Sequence, residues 1–374
     1  MAQIQDRQYW KQLQETVCFQ NKAFINGIYC SAVSGKTFEC ISPIDGALLT
    51  SIARCDERDV NHAVTVAKST FQSGSWSELA PVERKQLLFN FAELLEKSAD
   101  EFALLETLDM GKTISDSVHI DVPAAVRCLR WHAEAIDKVY GEIAPTGPAE
   151  LGLITREPLG VVAAIVPWNF PLDLAIWKLG PALAAGNSII VKPAEQSPHS
   201  VLRLAELAIE AGIPKGVFNV VTGHGHIVGK ALGLHNDIDV LTFTGSTVIG
   251  KLFLQYSAES NMKSVWLETG GKSPNIVFAD SEDLDKAADG AAFGIFFNQG
   301  EVCSANSRLL VENSIKDIFV KKMIERAHQV VVGNPLDTAT NMGPIVNKLQ
   351  VERIFEKIEK AKKEGAKLVA GGNR

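Results

Sequence analysis

Three side chains could carry chemistry in this sequence: Cys303 in FNQGEVCSANSR, Glu268 in LETGGKSP and Asn169 in VPWNFP. The thiolate is the reactive form of cysteine, and it is favoured where backbone N–H groups or a helix N-terminus face it and apolar side chains do not. Cys303 stands among small and polar residues just after an apolar, Gly-containing run. A cysteine taken alone reads as a small buried hydrophobe. Its company changes that reading: a carboxylate that could accept a proton and an amide that could donate to a developing oxyanion. The three lie far apart in the chain, so only a fold can bring them together.

The elements that must do so alternate. From Gly160, the runs GVVAAIV, SIIVKP, VFNVVTG, VLTFTG and SVWLE are separated by helical stretches such as PHSVLRLAELAIEAG. This βαβ alternation implies a doubly covered parallel sheet, and ligands on such sheets bind at the carboxyl ends of strands. NIVFAD, LDKAADGAAFGIFFN, SRLLVEN, IKDIFVKKMIERAHQ and LQVERIFEKIEKAKKEG suggest a second α/β unit, ending in a strand at KLVAGGNR. Upstream, the segment to about Pro43 reads as short strands with a tight turn at Asn26-Gly27. Between Asp56 and His132, apolar residues recur at three- and four-residue spacing, as expected of helices that each bury one face. Val139 to Glu157 is rich in β formers with Pro and Gly at its turns. It reads as a protruding two-stranded arm that meets another subunit, or as a plain surface hairpin.

A chain of 374 residues implies roughly two or three domains. Hydrophobic residues at 46% and charged ones at 22% are globular values, which exclude disordered and fibrous classes. The net charge of −7, with no basic stripe among the 37 Lys and Arg, argues against a nucleic-acid surface. The cysteines Cys18, Cys30, Cys40, Cys55, Cys128 and Cys303 form no CxxC pair and no zinc-like spacing, so reduced thiols and no metal are expected. The longest apolar run, Leu159 to Trp168, is far shorter than the roughly 20 residues a membrane helix needs, and the N-terminus has no signal core. A soluble cytoplasmic protein is expected.

No GxGxxG follows any strand; GHGHIVG, with Gly223, Gly225 and Gly229, misses it by one residue. FTGSTVIG says more. Gly245 allows close backbone approach, Ser246 can donate a hydrogen bond, and the following helix offers its N-terminus to a pyrophosphate. On the plainer reading the same two residues are a turn and an N-cap. Lys192 and Glu195 in VKPAEQSP end another strand, the right place for a ribose, where a carboxylate would repel a 2′-phosphate and favour NAD over NADP. They read equally as two solvated charges beside Pro193.

Taken in order, VPWNFP, WKLGPALAAGN, VKPAEQSP, FTGSTVIG, LETGGKSP and FNQGEVCSANSR resemble the aldehyde dehydrogenase superfamily, over nearly the whole chain from Phe24 to Gly372. The fuller wording, AEAIDKVYGE and NMKSVWLETGGKSPNIVFAD, is similar to its branch acting on 4-(γ-glutamylamino)butanal in putrescine breakdown. The resemblance implies a Rossmann-like NAD-binding domain (residues 1–137 and 156–269), an oligomerisation arm (138–155) and a second α/β catalytic domain (270–374). That last domain would be incomplete, since members of the family continue well past the position matching Arg374. It further implies that Cys303 attacks an aldehyde to give a thiohemiacetal, with the Asn169 side chain and the Cys303 backbone N–H holding the oxyanion. Hydride then passes to NAD, and Glu268 activates the water that hydrolyses the resulting thioester. Lys178 is implied in proton relay. Implied cofactor contacts are Ile165, Trp168, Lys192, Glu195, Gly225, Gly229, Phe243, Ser246 and Ile249, with Thr269 and Gln350 near the nicotinamide end. The family commonly has Leu where this chain has Thr269. Phe170 and Trp177 would line the aldehyde tunnel, although an aromatic wall is equally what a core shows. Relatives are homodimers or homotetramers.

Asp173, just after VPWNFPL, belongs to the residues and not to the resemblance: a carboxylate on the tunnel wall could attract a cationic amine and favour amino-aldehydes, unless it is a solvated surface Asp. Two other function classes fit parts of the sequence. One is a non-catalytic protein of this fold that only binds dinucleotide; the other is a cysteine hydrolase, against which no His lies near Cys303 in sequence. Glu268 separates hydrolytic enzymes from relatives that pass the acyl group to coenzyme A.

Overall fold

Val161, Val162, Ala163, Ala164 and Ile165 are all buried, so a strand made of them must be covered on both faces. In the computed structural model, which describes residues 4–373, this strand lies inside a seven-stranded sheet. The strands are β1 (Ala23–Ile25), β2 (Ile28–Cys30), β3 (Thr37–Ile41), β4 (Leu48–Ala53), β5 (Glu142–Ala144), β6 (Gly152–Ile154), β7 (Val161–Ile165), β8 (Ser188–Lys192), β9 (Phe218–Val220), β10 (Val240–Gly245), β11 (Ser264–Thr269), β12 (Pro274–Val277) and β13 (Arg308–Val311). The main sheet has the order β11-β10-β7-β8-β9-β1-β2. Its strands from β11 to β9 are parallel, and the β1–β2 hairpin extends that side antiparallel, with β2 at the edge. After β7 the chain winds through β8 and β9 to one side, then returns to place β10 and β11 on the other. The strand order therefore reverses between β7 and β10, where a crevice opens at the carboxyl ends.

Helices cover both faces. Those before the sheet are α1 (Arg7–Thr16), α2 (Glu57–Gln72), α3 (Pro81–Lys97), α4 (Ala99–Met110), the one-turn α5 (Ile114–Asp116) and α6 (Val122–Ala135). The crossovers are α7 (Pro171–Ala184), α8 (His199–Glu210), α9 (Lys230–Leu234) and α10 (Thr247–Ala258). Val162 and Ala164 of β7 join the core of α3, α6, α7 and α8, while Val161, Ala163 and Ile165 face α2, α9 and Phe253 of α10. The two-residue period of one strand thus sorts its side chains between two cores. Downstream, β12 and β13 pair in parallel, and α11 (Leu284–Phe296) and α12 (Lys316–Gln329) pack a small core around Val277, Ala288, Ala291 and Phe319. Helix α13 (Lys348–Lys363) follows. β3 pairs with β4, and β5 and β6 form a hairpin in the 138–155 segment, with Ile143 and Leu153 exposed on it.

Two expectations need correction. The segment before Pro43 does hold the β1–β2 hairpin, turning at Asn26 and Gly27 with φ of 54° and 75°, but helix α1 precedes it. Asp6 caps that helix by accepting from the Tyr9 N–H at 2.9 Å, and the buried Trp10 and the Tyr9 hydroxyl, bonded to Asp100, dock it. The polar RQ and KQLQ around one aromatic pair hid its apolar stripe. At the other end, KLVAGGN forms no strand within the described residues, because no neighbouring strand offers it a ladder.

Below the crevice lies a buried layer of charge. Lys112, in the turn after α4, is ion-paired with Asp121, and both side chains are about 1% exposed. Breaking such a pair strands the partner's charge. Lys112→Met should therefore cost about 3–5 kcal/mol, read as a fall in the urea midpoint; an unchanged midpoint would mean the pair adds nothing.

Candidate active site

The carboxyl end of β7 runs into Trp168, Asn169 and Phe170, and α7 begins at once with Pro171. Phe170 provides no side-chain cap. The capping is done from α4: Glu106 is fully buried and its Oε1 accepts from the Leu172 N–H at 3.1 Å. Burial pushes this carboxyl up to about 8, with Lys112 opposing the rise.

Opposite stands a turn with three successive left-handed residues, Asn298 (φ 49°), Gln299 (φ 58°) and Gly300 (φ 73°). Such conformations cost non-glycine residues of order 1–3 kcal/mol each, so the surroundings must impose them. They do: Asn298 Nδ2 donates to the Asn169 carbonyl at 3.0 Å, and Gln299 Nε2 donates to the Pro344 carbonyl at 3.2 Å. In return Asn169 Nδ2 donates to the Glu301 carbonyl at 2.6 Å. The amide and the cysteine loop are therefore clamped to each other. Cys303 lies exposed just beyond, and its carbonyl accepts from the Gly271 N–H at 3.3 Å, which ties it to the segment after β11.

Parallel register does the rest. Thr244 pairs with Glu268 and Gly245 with Thr269, so the ends of β10 and β11 deliver both to one level. A cavity of about 280 Å³ results, lined by Cys303, Glu268 and Asn169 together with Trp168, Gly245, Ser246, Thr269 and Gln350. Lys178 of α7 is half-buried; burial lowers its ammonium pKa and the Glu268 charge raises it. Phe170 and Phe297 rings lie 6.1 Å apart, and Lys112 Nζ sits 4.2 Å from the Phe170 centroid on the inner side. Trp177 is exposed. Asp173 is not a free surface group: its Oδ1 is buried, and burial pushes the carboxyl up to about 6, with Asp121 adding to the rise and Lys112 opposing it.

The dinucleotide candidates divide. Ser246 caps α10, its Oγ accepting from the Ile249 N–H at 3.4 Å. A Cβ at Gly245 would lie 2.4 Å from the Phe243 ring, so a larger residue there needs that ring to shift. Lys192 and Glu195 are not two solvated charges: Lys192 is buried and lies 3.4 Å from Glu195, whose Oε1 accepts from the Gly225 N–H at 2.6 Å. Burial opposes ionisation of Glu195, but the Lys192 charge and the Gly225 N–H outweigh it and hold the carboxyl below its usual range. Gly225 and Gly229 bound a π-helical turn, so GHGHIVG earns a place it lacked as a motif. Ile165 and Phe243 are buried in the core behind the strand ends, and Ile249 is exposed. The Thr244 Oγ1 is buried with no hydrogen-bond partner among the described residues, at the wall of the cavity.

Sequence reasoning missed Glu106, Lys112, Asn298 and Glu301. For Asn298 a signal existed, because Asn beside Gln-Gly suits a left-handed turn. The others are recognised only by their burial.

Residues 29–374 match the family model described as aldehyde dehydrogenase family. The NADP/NAD-dependent aldehyde dehydrogenase PuuC of Escherichia coli (strain K12) is 52% identical over 365 residues, 98% of this chain and 74% of that protein. The solved structure of P. syringae indole-3-acetaldehyde dehydrogenase AldA, a mutant in complex with NAD+ and IAA, is 57% identical, with a TM-score of 0.97 over 99% of this chain and 75% of that one. The γ-glutamyl-γ-aminobutyraldehyde dehydrogenase of Burkholderia cenocepacia J2315 is 52% identical, with a TM-score of 0.97 and the same coverage. With the family model covering all but the first residues and a relative 52% identical over nearly the full chain, this chain belongs to the aldehyde dehydrogenase family.

Proposed function

We propose that this chain oxidises an amino- or γ-glutamylamino-aldehyde to its carboxylic acid with NAD, through a thiohemiacetal and a thioester on Cys303. The observation that carries the reading is the one cavity shared by Cys303, Glu268 and Asn169 at the point where the strand order reverses. Cys303 Sγ adds to the carbonyl carbon, and the carbonyl oxygen takes up charge facing Asn169 Nδ2 and the Cys303 N–H. Preorganised donors of this kind are worth about 10²–10³ in rate. Glu268 takes a proton from the water that hydrolyses the thioester, returning the thiolate. Lys178, half-buried beside it, carries protons away.

Bound NAD supplies the hydride acceptor. The residues that would hold a dinucleotide include the Ser246-capped N-terminus of α10, a Thr244 hydroxyl buried without a partner among the described residues, and a preset Lys192–Glu195 pair. Trp168, Lys192, Glu195, Gly225, Ser246, Ile249, Thr269 and Gln350 would hold it, with Ile165, Gly229 and Phe243 shaping the wall behind. Glu195 would favour NAD over NADP. The exposed apolar arm at 138–155 would join subunits into a homodimer or homotetramer of a cytoplasmic enzyme.

The substrate class is supported by the likeness to the γ-glutamyl-γ-aminobutyraldehyde dehydrogenase, and Asp173, next to the cavity-lining Leu174 on α7, is the side chain through which it can be tested. Its carboxyl loses its charge as pH falls through about 6. The ratio of kcat/KM for an aminoaldehyde to that for hexanal or indole-3-acetaldehyde should therefore drop, by up to about tenfold, between pH 7 and pH 5. Asp173→Asn should flatten that dependence. Ratios that do not move with pH or with the substitution would remove Asp173 from substrate choice.

A further inference from the structure

Asn298 opens the left-handed turn between α11 and Cys303 and is 2% exposed. Its φ of 49° lies in a region that, among side chains larger than glycine, Asn and Asp tolerate best. That accounts for the backbone but not for the side chain. Nδ2 donates to the Asn169 carbonyl at 3.0 Å, while Oδ1 is buried with no hydrogen-bond partner among the described residues. A half-satisfied buried amide is a cost that glycine, which suits the same backbone, would avoid. What the amide adds is the bond to Asn169.

We propose that Asn298 is a positioning residue for the oxyanion hole: it holds the Asn169 main chain so that the Asn169 side chain meets the aldehyde oxygen. The inference rests on the dehydrogenase reading for its kinetic consequence and on hydrogen-bond geometry for its mechanism. One turn grips Asn169 at both ends. Its carbonyl accepts from Asn298 Nδ2, and its own Nδ2 donates to the Glu301 carbonyl at 2.6 Å. A primary amide has two N–H donors, so the bond to Glu301 sets the plane of the group and leaves the second N–H for the cavity that Asn169 lines. The turn is anchored from outside by Gln299 Nε2 on the Pro344 carbonyl at 3.2 Å. Asn298 is not among the residues lining the cavity, so it acts through Asn169 and not on the aldehyde. A donor displaced by about 1 Å can cost of order 10²-fold in rate.

Two substitutions keep the left-handed backbone and remove the donor. Asn298→Gly takes the side chain away, and Asn298→Asp sets an acceptor against the Asn169 carbonyl. For each variant the test measures kcat and the KM for NAD, the rate of Cys303 alkylation by iodoacetamide from the mass of its peptide, and the aldehyde concentration that half protects Cys303 without NAD. Alkylation needs the thiolate but no oxyanion, whereas protection needs the thiohemiacetal whose oxygen the hole binds. Both variants should lose about 10- to 100-fold in kcat, the scale on which an oxyanion donor acts, and should need more aldehyde for protection. Alkylation and the KM for NAD should stay within about twofold of wild type, since neither uses the hole. Adding Asn298→Gly to Asn169→Ala should cost no more than about a further twofold, because the group it positions is already gone. Unchanged kcat and protection in both variants, or a full additional loss in the double variant, would overturn the proposal. So would a loss of alkylation and NAD affinity along with kcat, which would make the turn a support of the whole site. If the wild type neither turns over nor is protected by aldehyde, the dehydrogenase reading fails and this inference with it. If it is protected without turning over, the protection values decide: weaker protection in both variants supports Asn298 as a positioning residue, and equal protection rejects it.

Discussion

Cys303→Ala should abolish NADH formation while leaving dinucleotide binding within about twofold of wild type. The thiol is the strongest nucleophile lining the cavity; Glu268 is placed to move a proton and Asn169 to donate a hydrogen bond. The groups assigned to the dinucleotide belong mainly to β8, β10 and the turn at Gly225, and none of their hydrogen bonds involves the Cys303 side chain. Cys303 is exposed, so removing its sulfur opens no core cavity, and loss of activity cannot be put down to unfolding. Absorbance at the NADH band and a fluorescence titration with NAD separate the two quantities. Turnover within tenfold of wild type would place the nucleophile elsewhere. Loss of both activity and binding would point to a wider disturbance of the site.

Glu268→Gln should lower steady-state turnover by about 10²–10⁴, the range for a general base in place. It should spare the first turnover. Formation of the thioester uses Cys303, the Asn169 donor and the hydride acceptor, whereas Glu268 enters when water must be deprotonated. One equivalent of NADH per site should therefore appear in a burst, followed by a slow phase. Glu268 ends an edge strand in register with Thr244, and the Gln side chain fills the same volume, so the fold should survive. A variant that loses burst and steady state alike would assign Glu268 to the first half of the reaction, as the base for the Cys303 thiol.

How much of this was legible before the fold depended on whether a residue acts through its neighbours in sequence or in space. The parallel strands were legible because a doubly covered strand must be continuously apolar, as Val161–Ile165 and Ser188–Lys192 nearly are. Cys303, Glu268 and Asn169 were legible through the short stretches around them, and the structure brings all three to one cavity. Lys192 and Glu195 could not be told from solvated charges until the burial of Lys192 and the Gly225 N–H were in view. Lys112 and Asp121 look like ordinary surface charges in DMGKTIS and HIDVPA, yet they form a buried ion pair under Phe170. Helix α1 was missed because its stripe, Tyr9, Trp10 and Leu13, is short and set among polar residues, and the strand expected at KLVAGGN lacked any partner to make it one.

The most direct measurement is the mass of the Cys303 peptide isolated from Glu268→Gln after brief mixing with NAD and 4-(γ-glutamylamino)butanal. The account predicts NADH equal to the number of sites and a matching acyl adduct on Cys303, absent without NAD and absent in Cys303→Ala. NADH released in that burst while Cys303 remains unmodified would contradict it, because oxidation would then proceed without a bond between this sulfur and the aldehyde carbon.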